Sequence, residues 1–221
     1  MIKISTVVER MVHRSPFLSE ALSEGMINIS ALGRKLQPEV SKRIGREVRT
    51  GAIIMAINRM PFGGLVQAEK SIQSFFQKLN DISVRSNLIA YNFQNAPTLM
   101  EKQARLLDHI RQFPKGFCTF SQGVSETTII IGEQFEEKTD VLFKKERLLD
   151  KKTQLSAITL MLPTENRSLY GIYYYILKEL AYHGINLIEL ISTTNEFTII
   201  VVQEDLNQSF KILNDLRSRS K

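Results

Sequence analysis

A single cysteine, Cys118, excludes any disulfide within this chain of 221 residues. In the strand-like stretch Phe117 to Ser121 a lone thiol reads as a small buried hydrophobe or as a nucleophile, the first being the ordinary case. The three histidines, His13, His109 and His183, are scattered without carboxylates or thiols at ligand spacing, so no metal site is expected. No apolar run approaches the ~20 residues that a membrane-spanning helix needs. The start, MIKISTVVERMVHRS, puts charges where a signal peptide needs its apolar centre, and a cytoplasmic protein is expected. A Ser-His-Asp set, paired carboxylates, a Walker loop and a dinucleotide fingerprint are all missing as recognisable spacings. Neither an enzymatic activity nor a cofactor is therefore expected.

The residues that are present can bury a core, since 43% are hydrophobic. The length suits one large domain or two to three small ones. The net charge of +6 is unevenly placed: residues 1–60 hold ten Lys and Arg against five Glu, leaving an excess of one for the remainder. Within that basic segment the apolar spacing predicts short helices. Pro16 opens one that carries Phe17, Leu18, Ala21 and Leu22, and Asn28 caps another over Ile29 to Leu36. Gln37-Pro38 starts a further helical stretch with Val40 and Ile44 inward, and one more begins near Thr50. Such a cluster resembles a helix-turn-helix unit in which 38–49 or 50–59 would enter a DNA major groove, with Lys42, Arg43, Arg46 and Arg49 on phosphates. A solvated helical face or a dimerisation arm is the alternative. Pro61-Phe62-Gly63-Gly64 reads as a turn and boundary, and 65–79 as a connecting helix.

Two stretches then share one order. Strand Val84 to Phe93, helix Thr98 to Arg111, strands Phe117 to Ser121 and Glu126 to Ile131, and a helix near Phe135 make β-α-β-β-α. Strand Ser156 to Leu162, helix Leu169 to Tyr182, strands Leu187 to Ser192 and Phe197 to Val202, and a closing helix repeat it. At an offset of 70, Ser86 falls on Ser156, Glu126 on Glu196, Thr128 on Thr198, Ile129 on Ile199 and Ile130 on Ile200. That register argues for a tandem repeat. Residues 136–152, dense in mixed charge, read as a helix end and a solvated linker.

The wording HGINLIELIST from His183 to Thr193, followed by a tight turn and EFTIIVV, resembles an ACT domain, the module that regulates aspartate kinases and other amino-acid enzymes. The resemblance covers roughly 155–219. It implies an amino-acid effector held between the loop before the helix of one domain and the start of the second strand of a neighbour. Carried onto this sequence, those positions are Asn166, Arg167, Ser168, Leu169, Tyr170 and Gly171 beside Asn186 and Leu187. Arg167 is suited to a ligand carboxylate, and free amides at Leu169, Tyr170 and Gly171 to an anion. The loop lacks the Asp/Asn-x-Pro-Gly wording common in ligand-binding ACT loops, so an assembly module without a ligand stays open.

The fold class expected is α+β: an N-terminal all-α helical domain, 1–62, a connecting helix, 63–82, and two ferredoxin-like ACT-like units with antiparallel sheets, 83–150 and 151–221. The function expected is non-catalytic regulation, with an amino acid or small metabolite sensed by the ACT-like domains and DNA bound by the helical domain. A homo-oligomer formed through the ACT-like domains and no membrane contact go with it. The alternative is a stand-alone regulatory or assembly protein, related to the aspartate kinase regulatory region, that acts on an enzyme partner without DNA.

Overall fold

A computed structural model describes residues 3–61, 65–79 and 81–218. The chain folds as two compact units, Met1–Ser71 and Ile72–Lys221. Phe62 to Gly64, the centre of the expected turn, lie outside the described residues.

The first unit is helical. Its helices are α1 (Ile4–His13), α2 (Pro16–Ser23), α3 (Ile29–Ile44) and α4 (Thr50–Asn58). Ser15 and Asn28 cap α2 and α3 by accepting from the amides of Leu18 and Ala31. Val7, Val8, Val12, Leu22, Leu32, Val40, Val48, Ile53 and Ile57 form one core. Gly33 brings α3 close to α4: a Cβ there would stand 2.8 Å from the Ile54 side chain.

One expectation fails here. The stretches 29–36 and 38–49 are not two helices, because α3 runs unbroken through Pro38. An interior proline removes one backbone hydrogen bond and crowds the preceding turn. Against that stands an apolar stripe, Leu32, Leu36 and Val40, that continues in helical register across Pro38 into the core. Burial outweighs the lost bond.

Helix α5 (Leu65–Gln77) precedes a six-stranded antiparallel sheet in the second unit. The strands are β1 (Ile82–Gln94), β2 (Cys118–Gln122), β3 (Glu126–Gly132), β4 (Leu148–Met161), β5 (Glu189–Ser192) and β6 (Glu196–Val202). Their order is β2-β3-β1-β4-β6-β5. Helices α6 (Leu99–Ile110), α7 (Glu136–Phe143), α8 (Ile172–Tyr182) and α9 (Leu206–Ser218) complete the two β-α-β-β-α runs. Strand alternation sorts the core into two layers. Ile89, Tyr91, Phe93, Ile129 and Ile131 pack with Leu99, Leu106, Phe135 and Phe143 of the helical layer. On the opposite face Leu88, Ala90, Ile130, Leu155, Ala157 and Ile200 form a second cluster, with Phe117, Ile188 and Ile191 against it.

The expected linker is half of a strand. Leu148 to Lys152 pairs with Ala90 to Phe93, so β4 runs straight through the expected boundary at 150/151. It joins the two runs into one sheet. Each long strand serves both: the second half of β1 pairs with β3, the second half of β4 with β6, and the first half of each lies against the other. Bulges at the crossover put Asn87 (φ 58°) and Gln154 (φ 54°) in the left-handed region.

The repeat has two registers. Strand β3 maps onto β6 at an offset of 70, as Glu126 does on Glu196, but Leu88, opposite Gly132, corresponds to Leu155, opposite Val202, at 67. Ser156 therefore matches Ile89, not Ser86. The second run has a longer loop ahead of its first helix, which absorbs the difference.

Candidate functional site

After Met161 the chain does not enter a helix at Leu169 as expected. Thr164 to Arg167 forms a 3-10 turn, and α8 begins only after Gly171, whose φ of 93° places it in the left-handed region. The first backbone bond of α8 runs from the Tyr175 amide to the Gly171 carbonyl at 3.0 Å, and the Leu169 amide, expected to be free for an anion, is taken by the Glu165 carbonyl at 3.2 Å. The loop is tied down by its own groups. The Asn166 side-chain amide donates to the Thr194 carbonyl at 2.7 Å, and Ser168 Oγ donates to the Glu165 carbonyl at 3.1 Å. Glu165 pairs with Lys78 at 3.1 Å. Its carboxyl is held below the usual range, first by a backbone hydrogen bond within Glu165 itself and then by Lys78. Tyr173 reaches Ser192 Oγ at 3.1 Å and stacks at a tilt on Phe197. Arg167 and Tyr170 are exposed.

Asn186 and Leu187 lie elsewhere. Asn166 is fastened to the β5–β6 turn, whereas Asn186 and Leu187 precede β5, at the far end of α8. That helix has 11 residues, about 16 Å of rise. Within one chain the structure brings together Asn166 to Gly171 and separates them from Asn186 and Leu187.

The four basic residues lie along the α3–α4 corner. Lys42 and Arg43 end α3, Gly45 turns the chain at φ 77°, and Arg46 and Arg49 lie on the way into α4. All four are exposed. The corner is braced by Ser41 Oγ, which accepts from the Val48 amide at 3.0 Å, and by Gln37, whose side-chain amide donates to the Val48 carbonyl at 3.2 Å. Arg43 is engaged by Glu39 at 2.6 Å, and this hydrogen bond holds the Glu39 carboxyl below its ordinary range.

A further set escapes sequence reading because it stands on the half of β4 that looks like linker. Asp150 and Lys152 flank a cavity of about 40 Å³ on the face away from the helices, with Ala90, Asn92, Thr128, Ile188 and Glu189 as its other walls. The signal available was alternation: in Asp150-Lys151-Lys152 the outer two share one face of a strand and the middle one points the other way. Cys118 sits half-buried in β2, and burial pushes its thiol up to about 12, away from nucleophilic use. No helix among the described residues is long and apolar enough to cross a membrane.

No protein-family model matches the sequence, and no curated protein matches it either. Solved structures do match. An aspartate kinase from Clostridium acetobutylicum is similar over 64% of this chain, with 12% identity and a TM-score of 0.54. The match takes in 35% of that enzyme's length. The aspartokinase alpha and beta subunits align over 63% of this chain and 99% of theirs, at 12% identity and a TM-score of 0.51. The ligand-free regulatory subunit of aspartate kinase from Thermus thermophilus aligns over 62% and 97%, at 9% identity and a TM-score of 0.50. The likeness is one of fold. It agrees with the ACT-like reading of the β-α-β-β-α runs, and it leaves ligand and partner to the chain's own residues.

Proposed function

We propose that the chain is a non-catalytic regulatory protein in which two ACT-like, ferredoxin-like units sense an amino acid or similar small metabolite and the N-terminal helical unit carries the response to DNA. The observation that supports this most is the continuous six-stranded sheet made by two β-α-β-β-α runs, a fold shared with the regulatory subunit of an aspartate kinase. Asn166, Arg167, Ser168, Leu169, Tyr170 and Gly171 would meet Asn186 and Leu187 across two copies of the chain, since α8 keeps them apart within one. The sensing protein is then a homo-oligomer. Ligand bound at that joint favours one arrangement of the copies and shifts the population toward it. Lys42, Arg43, Arg46 and Arg49 contact phosphates, which sets affinity and its salt dependence.

A second reading is favoured by the continuity of α3. With 29–44 a single helix, 38–49 is no separate recognition helix, and Arg43 is already engaged by Glu39. In that reading the chain regulates or assembles an enzyme partner and touches no nucleic acid.

Two measurements separate these. Duplex binding that weakens with salt and is abolished by changing Lys42, Arg43, Arg46 and Arg49 to Glu supports the DNA arm; a wild-type chain that binds no duplex at low salt removes it. A thermal-shift screen against the twenty amino acids tests sensing, because a ligand that binds only the folded state raises apparent stability. No shift at millimolar ligand removes the sensing arm.

A further inference from the structure

The pairing of Leu88 with Leu155 is the centre of the sheet's internal symmetry. Ala90–Lys152 on one side of it is matched by Ala157–Arg85 on the other, and Asn92–Asp150 by Thr159–Ser83. The hydroxyl pairs on the open face repeat as well. Thr128 Oγ1 donates to Asn92 Oδ1 at 2.8 Å, and Thr159 and Thr198 share a hydrogen bond of 2.8 Å. The same backbone frame therefore occurs twice in one molecule, and each copy is a control for the other.

In the second half the matching cation is engaged by the chain's own groups. Arg85, the counterpart of Lys152, donates from Nη1 to the Lys115 carbonyl at 2.8 Å and lies 5.1 Å above the Phe117 ring. Its neighbours Ser83 and Thr119 are neutral. In the first half Asp150 replaces Ser83 and Glu189 replaces Thr119, and the frame encloses the cavity bounded by Asn92, Thr128, Asp150, Lys152, Ile188 and Glu189. Lys152 and Asp150 stand 3.7 Å apart, a loose pair. Because Asn92 Oδ1 accepts from Thr128, the Asn92 amide offers its donor side.

We propose that this cavity binds the charged head of a small α-amino acid, with Lys152 and the Asn92 amide on the carboxylate and Glu189 and Asp150 on the ammonium. One cation, one neutral donor and two anions around a space of about 40 Å³ match a zwitterion better than a simple anion or cation. A water takes about 10–15 Å³ of such space, so the head group is accommodated and the side chain is left to solvent. Charged hydrogen bonds of this kind are the stronger ones, and each governs about a tenfold change in affinity or more.

This site rests on the sensing reading and relocates its ligand, so the test distinguishes the two. The full chain is screened by thermal shift with each amino acid, and the best hit is titrated calorimetrically against wild type and the variants Lys152→Met, Glu189→Gln and Arg167→Ala. Expected are about tenfold weaker binding in Lys152→Met and Glu189→Gln and wild-type binding in Arg167→Ala. Lys152 is exposed and Glu189 half-buried at the sheet edge, so ligand-free melting of the variants is expected to stay at the wild-type value. Binding lost in Arg167→Ala and retained in Lys152→Met overturns this site while the sensing reading stands. No stabilising amino acid at all overturns both.

Discussion

On the helix-covered side of the sheet's first half, Tyr91 lies opposite Lys151; the matching pair in the second half is Ile158 opposite Val84. Helix α7 presents Glu136 and Asp140 to the first pair, where α9 carries Leu206 and Phe210. The first half is consequently closed by a polar lock. Tyr91, 1% exposed, donates its hydroxyl to Asp140 at 2.9 Å, while Lys151 contacts Glu136 at 2.9 Å and Asp140 at 3.0 Å. The Lys151 ammonium also lies 4.8 Å from the Tyr91 ring centre. Burial raises the Tyr91 hydroxyl above its ordinary range; it opposes the charge on Lys151, whose hydrogen bonds to Glu136, Asp140 and Tyr91 outweigh it and keep the lysine ionised. In the second half the same backbone carries a buried Ile158, with Val84 and Phe210 left exposed. An ionic lock contributes little net stability beside apolar packing, but it is costly to half-remove.

If β1 and β4 make the two halves one folding unit, a cavity on either side of the centre should damage both. Leu88 and Leu155 are 0% and 1% exposed, and Leu88→Ala or Leu155→Ala is expected to cost about 3 kcal/mol. Urea unfolding followed by tyrosine fluorescence and by circular dichroism checks it. Coincident transitions, shifted alike in the two variants, are expected; two separated transitions would show halves that melt independently.

The lock itself is broken by Lys151→Ala, which leaves Glu136 and Asp140 facing each other. Because the lysine side chain is 25% exposed, the expected cost is about 2 kcal/mol, below that of a fully buried pair. Adding Asp140→Asn and Glu136→Gln to that variant should recover part of the loss. Stability that falls further with these additions would mean the carboxylates are held by something other than Lys151.

The first half also carries an acid-sensitive tie. Glu146, 6% exposed in its side chain, accepts from Lys102 and from Thr98 Oγ1 and joins the approach to strand β4 to helix α6. The Lys102 hydrogen bond, then that from Thr98, holds its carboxyl below the ordinary range. A depressed folded-state value means stability present above the unfolded carboxylate range and lost as pH falls through the lower folded value. Part of the folding stability is expected to disappear in that acid window, and Glu146→Gln should flatten this part of the pH profile. An unchanged profile in the variant would assign the acid loss to other carboxylates.

How much of this was legible follows from what each residue does. The β-α-β-β-α order is written in alternation and turn residues, as in Glu126 to Gly132 and Glu196 to Val202, where local pattern and buried face coincide. The first half of β4 is not, because Asp150-Lys151-Lys152 is a strand edge whose charges look like solvent-facing linker; only the position of Tyr91 and α7 makes Lys151 an interior group. Pro38 signals a helix start that the stripe through Leu32, Leu36 and Val40 overrides. The separation of Asn186 from Asn166 is topological: both belong to loops, and nothing local states that α8 stands between them. The open-face cavity needs residues from β1, β3, β4 and β5 together, which no spacing in the chain encodes.

The smallest expected effect bears on the crossover. Asn87 and Gln154 occupy matching bulges with φ of 58° and 54°, a conformation that costs an L-residue roughly 1–2 kcal/mol. Asparagine tolerates it because its short side chain bonds locally; glutamine has no such compensation. Glycine relieves the strain at either place, yet adds unfolded-chain entropy of about 0.5–1 kcal/mol. The two terms nearly cancel at Asn87 and leave a gain at Gln154. Gln154→Gly should therefore stabilise by about 0.5 kcal/mol while Asn87→Gly is neutral or slightly destabilising, read as a difference in urea midpoint between the two variants. Equal midpoints would mean that the bulges are relaxed alike and that the choice of Asn in one half and Gln in the other carries no backbone consequence.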